Sequence, residues 1–247
     1  SNSIDITVNN TGGIRLLTDL SAPVNLTGTV GTIDANGNDI AVAGDFVINS
    51  DLTNAALLTF NGSGTQNLSY APGTLSVPSV TVNKAAGSLL LGTDLTLTSA
   101  GTVTAGTLDV NSQTLTMGAG STLTITDTVS LSGTSSLQVS GAVVNPGTLT
   151  TVGTATLDFL SGGSYEHAQN GGALPDLAIT TWDANSTLIV TGTTTTLPTN
   201  FTDTYGHVTW NSTGQTADLD LNASPASIGG DLTISSTGTG SLSWVQS

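Results

Sequence analysis

Apolar and polar residues alternate along almost the whole chain. Residues 121–131, STLTITDTVSL, place Leu, Ile and Val between Thr, Ser and Asp. DLTLT at 94–98 and DLTIS at 231–235 follow the same rule. A period of two is the signature of a strand with one face buried, and the β-branched residues favour it. Gly, Asn, Asp and Pro interrupt these runs every few residues, as turns do. No segment sustains apolar residues at helical spacing, and the strong helix formers Lys, Arg, Glu and Met are almost missing. The pattern predicts an all-β chain.

A Gly-Asp or Gly-x-Asp unit precedes several strands: GDFVI at 44–48, GTDLTL at 92–97 and GDLTI at 230–234. Glycine frees the turn and Asp bonds nearby backbone N–H groups, so the unit reads as a turn device rather than a calcium ligand. The chain also repeats internally. ITVNNTGGIRLLTDL at 6–20 lines up with VTVNKAAGSLLLGTDL at 80–95, and IDANGNDI at 33–40 with LDVNSQTL at 108–115, at nearly the same offset. Residues 4–48 and 79–125 therefore read as two copies of one unit. A shorter motif, a strand ending in Phe or Trp before a small-residue turn, recurs at 57–68, 156–167 and 207–219.

Repeated strand text without helices predicts a parallel β-solenoid of about 20-residue coils, roughly 12 in all. Tandem β-sandwich domains are the competing architecture, but they need bulkier cores than ten aromatics in 247 residues suggest. Six of the aromatics fall in the segment from Phe159 to Trp210. The expected organisation is solenoid repeats over 1–157 and a continuing, aromatic-rich solenoid over 158–247. Both termini lie in strand-like text, which reads as a piece of a longer protein. The text shows no signal peptide and no apolar run long enough to span a bilayer.

Charge narrows the function classes. Lys and Arg total two (Arg15 and Lys84), Asp and Glu 17, and the formal net charge is −15. Two cations cannot neutralise a run of phosphates or hold an anionic membrane, so nucleic-acid binding and membrane attachment are not expected. The absence of cysteine removes disulfides and thiolate chemistry.

The densest candidate chemistry is SYEHAQNGGALP at 164–175, which sets the sole glutamate, Glu166, between Tyr165 and His167. Matching 163–167 to 64–68 makes it a strand after a turn. Tyr165 and His167 then share one face and Glu166 takes the other. No Gly-x-Ser-x-Gly elbow accompanies either histidine, His167 or His207. Arg15 and Lys84 are far apart in the chain, in equivalent early strands of the two units, and do not suggest the cationic cleft of a polysaccharide lyase. The carboxylates are mostly turn Asp. The pairs Asp218/Asp220 and Asp34/Asp39 read as solvated edges rather than a glycosidase pair. DANGND at 34–39 lacks the bidentate acid of a calcium loop, although an acidic, oxygen-rich surface leaves room for structural calcium between coils. Thr-x-Thr units such as TLTIT at 122–126 do not recur at a fixed coil position, which disfavours ice binding. No cofactor is expected.

The segment from Tyr165 through Asn170-Gly171-Gly172 and Pro175, then TWDANSTLIVTGT at 181–193, YGHVTWNSTGQTADLDL at 205–221 and IGGDLTISSTGTGSL at 228–242, resembles a recurring block in Bacteroidetes cell-surface β-strand-repeat proteins. The resemblance implies a large secreted or surface-anchored repeat protein, exported by the type IX system through a C-terminal sorting domain that this chain does not display. It also makes Asp127-Thr128-Val129 a candidate O-glycosylation triplet at Thr128. The Asn-x-Ser/Thr triplets at Asn9, Asn25, Asn61, Asn67, Asn185, Asn200, Asn211 and Asn222 are what chance gives in so Asn- and Thr-rich a chain.

The expectation is thus a non-catalytic extracellular module, a stalk or filament segment whose partners are the surface or secretion machinery or copies of itself. The alternative is an adhesin that stacks glycans on exposed Tyr165, Trp182 or Trp210.

Overall fold

A computed structural model describes residues 4–21, 23–175, 178–221, 225 and 227–244. The chain is an all-parallel β-solenoid of about 11 turns, with no helix among the described residues. Each coil has three sides. The third face shows the register most completely: Leu20, Ile40, Leu58, Val80, Gly101, Leu123, Val143, Tyr165, Leu188, Val208 and Leu232 are partners in successive coils. The first face carries Leu26, Phe46 and Leu68, and later Leu89, Leu108, Val129 and Leu149. The second carries Ile14, Ile33 and Leu52, and further on Leu75, Leu95, Leu115, Leu137 and Leu157.

The alternating text produces this directly. Strands such as Thr122–Ile125 and Thr114–Met117 bury every second side chain and leave Thr outside. Stacking like on like builds one narrow core, in which Leu115, Leu123, Leu137 and Leu157 are fully inaccessible. Each such side chain contributes about 1.5–3 kcal/mol of burial.

Two Gly-Asp units, at Asp45 and Asp94, do more than turn the chain, and Asp5 and Asp19 act in the same way outside such units. Asp45 accepts the N–H of Asn67 (2.8 Å), Asp94 that of Thr114 (2.8 Å), Asp5 that of Asn25 (3.1 Å) and Asp19 that of Asp39 (3.0 Å). In each case the carboxylate bonds the N–H of the residue about one coil further on, not a nearby one. These carboxylates therefore cap strands from coil to coil, whereas Asp34, Asp109 and Asp183 bond the N–H two residues on.

Two expectations need correction. Coil length is not constant: the step from Ile40 to Leu58 is short and the step from Val208 to Leu232 is long. The offset between the two matching segments is therefore not a whole number of coils. Ile6 lies on the first face and Val80 on the third, while Ile33 lies on the second and Leu108 on the first. The segments 4–48 and 79–125 are alike in text but out of phase by one side. Equally, 163–167 lies on the third face and 64–68 at the entry to the first.

The third-face and second-face ladders run without a break across residue 157. The first face is interrupted. Thr148–Gly153 pairs back to Thr128–Gly133, but 171–174 bonds onward to 196–199. No ladder joins 171–175 to 148–153 among the described residues, and Val152 stands 63% exposed.

Candidate functional site

Ser164–His167 is a third-face strand stacked on Ala142–Asn145 below and Thr187–Val190 above. Tyr165 and His167 point inward and are completely buried, and Glu166 points outward. The strand period thus separates the three groups as expected. Glu166 accepts the Thr191 hydroxyl at 2.8 Å. The Tyr165 hydroxyl accepts Asn145 Nδ2–H at 2.7 Å, and burial pushes its pKa up to about 12. His167 Nε2 lies 2.6 Å from the Gly171 carbonyl. Burial holds His167 below the usual histidine range, against a smaller raising effect of that bond. Asn145 is the inward partner of His167 one coil below, a member of the cluster with no marker in the sequence beyond the register itself.

His207 lies two coils above on the same face, half-buried, and its Nδ1 accepts the Asp231 N–H at 2.9 Å. It does not meet His167. The cations are apart as well, and not in equivalent strands. Arg15 is exposed on the second face, 3.4 Å from Asp34, whose pKa is lowered mainly by hydrogen bonds from Asn54 and Asn36. Lys84 is buried at the corner after the third face. It donates to the Gly62 carbonyl (3.1 Å) and to Gln66 Oε1, and burial lowers its pKa.

The candidate glycan platforms are largely closed. Tyr165 and Trp210 are interior residues, 0% and 1% exposed, because their strand positions face the core. Trp210 Nε1–H donates to buried Gln215 (2.9 Å). Trp182 is half-buried. One ring face stacks on Phe159 at 4.1 Å, Tyr205 meets it edge-on at 5.0 Å, and its Nε1–H donates to Asp203 (3.0 Å). Asp203 is itself buried, with its pKa raised by desolvation.

The clefts hold little chemistry. One of about 530 Å³ contains Asp158, which accepts the Thr181 hydroxyl (2.6 Å), among small and apolar groups. One of about 230 Å³ lies at the first-face interruption, lined by Leu149, Thr151, Leu174 and Asn200 among others. No group of three or more His, Cys, Asp or Glu suited to a metal occurs among the described residues. Among the described residues, no helix is long and apolar enough to cross a membrane. Thr128 begins an outward position on the first face, partly exposed, its hydroxyl donating to Asp127 (3.1 Å). The triplet asparagines are exposed or partly exposed, and Asn222 lies outside the described residues.

Comparison with protein-family models, with curated proteins and with solved structures gave no match.

Proposed function

We propose that the chain is a non-catalytic structural module, a stalk- or filament-like segment of a large bacterial cell-surface protein. One observation carries this reading: the chemistry-bearing side chains are used in holding coil to coil. Asp5, Asp19, Asp45, Asp94 and Asp218 cap strands of the next coil, Tyr165, His167 and Trp210 fill the core, and Lys84 plugs a corner. A reactive site needs groups left free to meet a substrate. About 11 coils at about 4.8 Å per coil make a rod of roughly 50 Å, a useful spacer.

The apolar residues at the terminal coils support a role within a longer stack. Ile4 and Leu17 at one end and Leu232, Ile234 and Trp244 at the other are exposed, on coils whose strands pair on one side only. Such edges accept further coils or a second copy. The resemblance to Bacteroidetes surface proteins supports export through the type IX pathway, with secretion machinery as a partner and Thr128 as an O-glycan site. Of the three candidate platforms of the adhesin alternative, Tyr165, Trp182 and Trp210, only Trp182 is partly exposed, with one ring face already covered.

Negative-stain imaging of the native protein that carries this segment tests the proposal. A straight rod of constant length between flanking modules is expected. A segment that ends as a free globular tip overturns it.

A further inference from the structure

Asn145 and His167 face the interior from adjacent coils, paired in register, 1% and 0% exposed. A carbonyl oxygen can only accept, so the Gly171 contact fixes the proton of the neutral ring on Nε2. Nδ1 is left as an acceptor. Asn145 gives its Nδ2–H to Tyr165, which leaves Oδ1 as a second acceptor. Both Nδ1 and Oδ1 are buried and have no partner among the described residues. Two unsatisfied acceptors inside one core are unusual, because buried polar atoms are otherwise paired with protein or ordered water.

We propose that these two atoms form a binding site for one internal water, which donates one hydrogen to each. Strand spacing allows one water between the two register partners. Adjacent strands stand about 4.8 Å apart. A water bonding two acceptors at about 2.8 Å with a tetrahedral angle spans roughly 4.6 Å. The chemistry selects water over an ion, since two neutral acceptors cannot replace the hydration shell of a charge. The site also explains a polar layer beneath Val190 on the same ladder. The water completes a chain from Tyr165 through Asn145 to His167 and on to Gly171, which anchors the loop entering the interrupted first face.

A high-resolution crystal structure tests this, together with oxygen-17 relaxation dispersion in solution. One ordered water within about 3 Å of both atoms is expected, with a long-lived relaxation contribution from one molecule. That contribution disappears in the double variant Asn145→Leu/His167→Leu. The proposal is overturned if the space between the atoms is empty, or if the Asn145 amide is turned so that Nδ2–H bonds His167 Nδ1 directly. The wild-type measurements decide the question even if the double variant does not fold.

Discussion

Phe159 and Trp182 are register partners in successive coils of the second face, and their rings stack 4.1 Å apart at 17°. Tyr205 continues the column edge-on to Trp182. An aromatic column continues the ladder of Met117 and Val139 below it.

Trp182→Ala is expected to cost about 3 kcal/mol, the low end for a large aromatic because the ring is only half-buried. Trp182→Phe keeps the stack and costs about 1 kcal/mol or less, apart from the lost bond to Asp203. Urea denaturation measures both. A neutral Trp182→Ala variant refutes the column as a core element.

The first face carries Asp5, Asn25, Asp45 and Asn67 in consecutive coils, and the side chains of the first three each cap the N–H of the next residue in the series. Neutral Asn separates the carboxylates, which otherwise repel at one-coil spacing. Asn25→Asp is expected to lower the denaturation midpoint at low ionic strength. Most of the loss returns at about 1 M salt, where screening acts over about 3 Å. A salt-independent loss implicates the missing amide donor alone.

His167 has a folded-state pKa below its unfolded value of about 6.5. Below pH 6.5 the unfolded chain therefore binds more protons, and stability is lost as pH falls. Asp203, raised by burial, acts in the opposite sense, gaining stability as pH falls toward the ordinary carboxylate range. The difference in stability between wild type and His167→Leu, followed from pH 7.5 to 4.5, isolates the histidine. It should move steadily in favour of the variant. A flat difference is incompatible with a buried neutral imidazole.

Lys84 is lowered by burial, so the unfolded chain holds its proton to higher pH and stability rises as pH climbs toward 10.5. The stability of wild type relative to Lys84→Met should therefore improve between pH 7 and 10. The methionine keeps the buried stem while removing the charge. Calorimetric melting across that range checks the sign.

How far the sequence reveals all this depends on what each residue must do locally. Strand alternation is local, so the sharing of one face by Tyr165 and His167, with Glu166 on the other, is legible in the text, but which face is the inner one is not. Face assignment is not local. The three sides of a coil obey the same rule, apolar in and Thr or Ser out, so a stretch of one side matches a stretch of another. That is why Ile6 aligns with Val80 across two different faces. Phe60 and Trp210 share the third face, as their common motif implies, whereas Phe159 belongs to the second. Asn145 is invisible in the text as a partner of His167, because only the coil register brings the two together. Trp210 reads as an exposed platform because a tryptophan at a strand end carries no label for inside or outside.

On the proposed structural role, the rod is a scaffold for neighbouring modules and offers soluble ligands little. A glycan array probed with the purified chain, with Trp182→Ala run alongside, decides between scaffold and adhesin. Neither protein is expected to bind any glycan class saturably. Saturable binding to one class by the wild type, lost in Trp182→Ala, refutes the purely structural role.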